Sequence, residues 1–308
     1  MLCVAALVVV DRGPDRAVRK DPVVLELVTD PFAYSFMRTA LAAGLLTVVA
    51  GSIIGTWVVL RGMAFMGDAL AHGVLPGIAI AFILGGNLMV GGALSAAVMI
   101  GGVSLASSRS RLGEDTSIGL LFVGMLAAGV AIISRGGAYA GDLTTILFGD
   151  PLGVTRGDLR VVGVAALLTL VVTVAFYRPF LVLSFSRAKA QALGLRPGLT
   201  HVVMLATVAM VVVTSFRTVG TLLVFAFLVA PPATASLVSR RVPVMMAVAM
   251  LLGGLAVVLG LLISFHYATA TAATIAGLTV LMFFLTLALL EARDRVRALR
   301  RRRAPAAA

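Results

Sequence analysis

Long apolar runs, separated by short breaks of charge, glycine and proline, fill most of this 308-residue chain. Several approach the ~20 residues that an α-helix needs to cross a bilayer. Apolar length and the positions of the breaks predict spans over 36–60, 69–85, 87–106, 116–134, 158–176, 200–215, 218–238, 243–265 and 270–290. That is about nine spans, with eight as the alternative count. The predicted fold class is all-α, a polytopic transmembrane helical bundle. Glycines and Pro76 interrupt the first two runs, where a tilt or a break is expected. The chain divides into an N-terminal extension over 1–34, a transmembrane domain over 35–290 and a basic tail over 291–308. The apolar start of the extension is too short to cross a bilayer, and no small-residue cleavage signature follows it. An interfacial segment and a misassigned start fit it equally well.

One segment places an acid and an imidazole one helical turn apart: Gly67-Asp68-Ala69-Leu70-Ala71-His72-Gly73-Val74-Leu75-Pro76-Gly77. An ionisable group near the bilayer centre costs about 2.5–3.5 kcal/mol even on lenient scales, so such a pair is expected to face a cavity or a partner. The i, i+4 spacing of Asp68 and His72 puts both on one helix face, which reads as a metal-ion site. Two plainer readings stand beside it. Asp68 follows a glycine ahead of a helix-like run, where an N-cap would use its carboxylate. His72 could be a hydrogen-bonding residue between helices. Pro76 has no N–H, so the carbonyl of His72 loses its usual helical donor and needs another partner.

Composition supports the membrane class, with 60% hydrophobic and 12% charged residues. The mean hydropathy is +1.10. A net charge of +12 raises the question of nucleic acid, but the arginines lie in short connections and the tail, with no basic face interleaved with aromatics. Arg109 and Arg111, then Arg178, Arg187, Lys189 and Arg196, then Arg240 and Arg241, then Arg293 to Arg303 fall on alternate connections. The positive-inside rule makes that side cytosolic and puts the C-terminus there, with the N-terminus outside if there are nine spans. The tail reads as an anchor on anionic headgroups. The only cysteine, Cys3, excludes an internal disulfide and multi-cysteine metal sites. No phosphate-binding Gly-x-x-x-x-Gly-Lys loop exists, since the only lysines are Lys20 and Lys189. No His-Glu-x-x-His occurs, so the ligand set of a metalloprotease is lacking and an enzyme is not expected.

The run from Val59 to Gly77, with its Asp-Ala-Leu-Ala-His-x-x-Leu-Pro-Gly core, resembles the early signature of permeases from bacterial ABC importers for zinc and manganese. Three further segments agree in order: Tyr139 to Gly153 with Leu147-Phe148-Gly149-Asp150-Pro151-Leu152, Phe185 to Gly194, and Val219 to Ala235. The resemblance covers about residues 35–290. It implies a homodimeric permease in the bacterial plasma membrane, with a cytosolic ABC ATPase subunit beneath and an extracytoplasmic metal-binding protein above. It also implies that Asp68 and His72 face the translocation path. A carboxylate and a neutral imidazole suit Zn2+ and tolerate Mn2+, and no permanently bound cofactor is expected.

The same resemblance marks Ser184 to Thr200 as the coupling element that docks on the ATPase, with Ser186 where the family usually has an aspartate. Ala190 and Gly194 supply small residues for close packing there, and an ordinary solvated loop is the plainer alternative. Pro231 and Pro232 should kink or terminate the seventh span, as a gate or simply as a helix end. His266 is a candidate second metal contact at the outer mouth, although Ala268-Thr269-Ala270-Thr271-Ala272 departs from the family's turn. Two other functions remain open. A proton-coupled secondary metal transporter would need more intramembrane acids. An ABC permease for a metal chelate would not need the paired ligands.

Overall fold

The computed structural model describes residues 30–109, 114–135 and 153–303. The segment around Leu147 to Leu152, Arg111 and most of the N-terminal extension lie outside the described residues. A single 3-10 turn, Pro31–Ala33, leads into α1, Ser35–Leu60. The helices that follow are α2 (Ala64–Gly73), α3 (Leu75–Ile83), α4 (Leu88–Arg109), α5 (Glu114–Arg135), α6 (Arg156–Ala175), α7 (Tyr177–Phe185), α8 (Arg187–Ala192), α9 (Pro197–Val238), α10 (Val242–Tyr267) and α11 (Thr271–Arg303). The described residues contain no strand. In an apolar medium, helices satisfy their backbone groups internally, and the all-α expectation holds.

Among the described residues, eight helices are long and apolar enough to cross a membrane. The run expected as one span at 69–85 is two short helices, with Val74 as their junction. Pro76 occupies the first turn of α3, where its missing N–H costs no helical bond within α3. Ser95 on α4 donates its hydroxyl hydrogen to the carbonyl of Gly73 at 2.8 Å and so supports the junction. Buried threonines treat the apolar surroundings in the same way: Thr47 and Thr56 donate to the carbonyls of Ala43 and Ser52, four residues back.

The runs expected at 200–215 and 218–238 form the single element α9, which changes direction at Gly220. Arg61 at the end of α1 bonds His201, and Val59 and Leu60 pack on a cluster of Ala235, Met245 and Ala249. A straight helix would separate 201 from 235 by roughly 50 Å, so the chain leaves this end of the bundle and returns to it. Gly220 makes the reversal with φ 76° and ψ 161°, a combination only glycine adopts readily. The return arm, Leu222–Val238, is shorter than the eight long apolar helices and carries the chain back to the end it left, so eight counts the long helices and nine the passes. Pro231 and Pro232 lie inside this arm without breaking it, because the only non-helical residue of α9 is Gly220.

The bundle is assembled on close contacts of small residues, as expected where lipid supplies no hydrophobic drive between helices. Gly77 of α3 and Gly91 of α4 meet backbone to backbone. Gly51 and Gly55 of α1 receive Phe227 and Leu228 of the return arm. Trp57, fully buried, packs on Tyr177 and Phe180 at centroid distances of 5.5 and 5.6 Å and fixes α7 against α1.

Candidate ion site

Both residues of the acid-imidazole pair lie in α2, which packs between the return arm of α9, α5 and α4. Gly67 faces the arm, where a Cβ would make ordinary van der Waals contact with Leu228 and Phe225. Asp68 is not a helix cap. The residue preceding α2 is Met63, and Asp68 stands well inside the helix with its carboxylate free of that duty. His72 is one turn further on, and its Nδ1 lies 3.1 Å from the Asp68 carbonyl oxygen and 3.4 Å from Asp68 Oδ1.

A carbonyl oxygen can only accept, so Nδ1 carries a proton and donates it, and in the neutral ring the lone pair is then on Nε2. Metal-binding imidazoles commonly have this arrangement, with one nitrogen donating to an oxygen and the other on the metal. The side chains are 24% and 26% exposed, so neither is sealed in the core. Phe122 of α5 meets the His72 ring edge to face. Among the described residues, no group of three or more His, Cys, Asp and Glu side chains gathers to hold a metal. One copy of the chain therefore offers two ligands of this kind.

The other candidates are placed elsewhere. His266 is exposed at the end of α10, with Nδ1 donating to the Leu262 carbonyl at 2.8 Å. Its neighbour Phe265 stacks near Tyr34 at the start of α1, so the structure does not bring His266 to the pair. Ser186 is the N-cap of α8, its hydroxyl accepting from the Lys189 amide. Ala190 is buried against the rest of the chain. Gly194 ends the helix in the left-handed conformation, φ 71°, with Gly194 and Leu195 amides donating to the Gln191 and Ala190 carbonyls. No atom lies within 4 Å of a Cβ built on Gly194, so the glycine serves the backbone turn and not a close approach within this chain. Phe185 and Leu193 flank α8 with 77% and 67% of their surface exposed.

Two relationships had no signal in the residue pattern. Phe122 is one of 15 phenylalanines in a chain made of apolar runs, and nothing local marks it. The Arg61 guanidinium donates to His201 Nδ1 at 2.7 Å across 140 residues of sequence, a pairing no periodicity can give.

Comparison with protein families matches residues 33–290 to the ABC 3 transport family. The "Manganese transport system membrane protein MntC" of Halalkalibacterium halodurans is 36% identical over 253 residues, covering 82% of this chain and 87% of that protein. The "Chelated iron transport system membrane protein YfeD" of Yersinia pestis is 36% identical over 264 residues, covering 86% and 89%. Among solved structures, "PsaBC from Streptococcus pneumoniae in complex with Fab" superposes with a TM-score of 0.77 at 29% identity, covering 86% of this chain and 95% of that one.

Proposed function

Because the chain belongs to the ABC 3 transport family, we propose that it is the permease subunit of an ATP-driven importer whose cargo is a divalent transition metal, zinc or manganese. The carrying observation is the Asp68–His72 pair, a carboxylate beside an imidazole whose Nδ1 is engaged and whose Nε2 is left for an ion. Carboxylate and imidazole suit Mn2+ and Zn2+, and release during transport is favoured by the absence of thiolates. The manganese named in relatives such as MntC supports the same cargo class.

Two ligands do not complete a coordination shell, since Zn2+ takes four. A second copy related by two-fold symmetry would supply another Asp68 and His72, and the permease acts as a homodimer with the ion between the copies. Four such side chains satisfy Zn2+ directly, and added water completes the larger shell of Mn2+. ATP is hydrolysed on a separate cytosolic subunit, which docks against α8 and the exposed Phe185 and Leu193 beside it. Ser186 and Gly194 define the two ends of that docking helix, and Ala190 seats it on the bundle. An extracytoplasmic metal-binding protein delivers the ion at the opposite mouth. The subunit lies in the bacterial inner membrane with its arginine-rich C-terminus in the cytosol.

The test is uptake by the assembled permease-ATPase complex in vesicles, with Mn2+, Zn2+, Fe2+ and a ferric chelate compared. ATP-dependent accumulation of a free divalent cation is expected. Accumulation of the chelate alone, or uptake driven by a proton gradient without ATP, would overturn the reading.

A further inference from the structure

Phe65, Asp68 and His72 lie at i, i+3 and i+7 on α2 and form one stripe along its face. Phe122 reaches this stripe from α5. Its ring centroid is 5.6 Å from that of His72, with the rings at 82°, and 5.5 Å from that of Phe65, at 71°. Residues 65 and 72 are roughly 10.5 Å apart along a helix axis, close to the two centroid distances laid end to end. The Phe122 ring therefore bridges them. Gly119, one turn before Phe122, also faces the Phe65 ring, where a Cβ would make ordinary van der Waals contact at 3.9 Å. Phe65 is 44% exposed, so it braces Phe122 from the open side and not from the core.

Resting on the ion-site reading above, we propose that Phe122 is a positioning residue for the transported ion. Its ring restricts rotation of the His72 imidazole, which keeps Nδ1 on the Asp68 carbonyl and Nε2 presented to the ion. An edge-to-face contact is directional, so an aliphatic side chain of similar bulk fills the space without setting the ring's orientation. Phe65 contributes through Phe122, since the structure gives it no ring contact with His72.

The test is a Co2+ titration of the purified permease-ATPase complex, followed by the visible absorption of the bound ion, with melting temperatures measured alongside. In Phe122→Leu, Co2+ affinity is expected to fall about 10-fold, the lower end of the losses seen when a residue orienting a metal ligand is removed. The absorption band should change shape, and the melting temperature should stay with the parent. Phe122→Tyr keeps the ring and is expected to restore both affinity and band shape, while Phe65→Leu should show a smaller loss than Phe122→Leu. Parental affinity in Phe122→Leu overturns the positioning role and leaves the ion site standing. Equal losses in the Leu and Tyr variants, tracking a lowered melting temperature, also overturn it, because packing alone then accounts for the effect. A parent complex with no Co2+ band overturns the ion site itself.

Discussion

The carbonyl oxygen of Leu228 rests on Gly55, so close that a Cβ at position 55 would overlap it. The prolines explain why that oxygen faces outward. Pro231 and Pro232 carry no N–H, so the carbonyls of Phe227 and Leu228 lose their i+4 donors in the return arm. Both freed groups turn toward α1, where Gly51 and Gly55 present only Cα hydrogens, a weak donor that recurs at helix contacts. The proline pair thus acts through the carbonyls it releases. Gly55→Ala is expected to destabilise the subunit by about 1–3 kcal/mol or more, because overpacking meets backbone that cannot rotate away. Thermal unfolding of the detergent-solubilised complex checks this, and an unchanged melting temperature would count against the contact.

Gly220→Ala should be at least as harmful. The residue sits at φ 76° and ψ 161°, where a side chain costs about 1–3 kcal/mol of strain, and both arms of α9 depend on the reversal. Reduced yield and a lower melting temperature are expected. Parental stability would mean that the chain reverses by another route.

Asp68→Ala and His72→Ala are each expected to abolish metal uptake while the subunit still assembles with its ATPase. Both side chains are partly exposed, so neither substitution opens a core cavity. Vesicle uptake, with co-purification of the ATPase as the assembly control, decides the matter. Transport at the parent rate in both variants would remove the site assignment.

Gly194→Ala places a side chain in the left-handed turn that ends α8, at a cost of about 1–2 kcal/mol. Since no atom crowds that position, the expected defect is local, with ATPase activity less tightly tied to transport and the bundle intact. A ratio of ATP hydrolysed to metal transported equal to the parent's would show that the turn tolerates the strain.

His266→Ala should leave uptake nearly unchanged. The ring is exposed and bonded to its own helix, away from the Asp68–His72 pair. A loss of uptake comparable to that of His72→Ala would place a second ion contact at the end of α10.

Membrane class and the Asp68–His72 pair were legible in the sequence because each rests on local rules. A run of about 20 apolar residues specifies a spanning helix without reference to any other part of the chain. The i, i+4 spacing places two side chains on one helix face. Family resemblance also marked α8 through Ser186 and Gly194, although the reason for the glycine, a left-handed helix end, came only with its φ of 71°. Long-range packing decided the rest. The sequence could not show that the runs at 200–215 and 218–238 are two arms of one element reversed at Gly220, since two separate spans are equally apolar runs bounded by small residues. Nor could it pick Phe122 from the other phenylalanines, or pair Leu228 with Gly55. Such contacts depend on how helices far apart in the chain approach one another, and apolar residues that all satisfy the same lipid carry no local mark of their eventual neighbour.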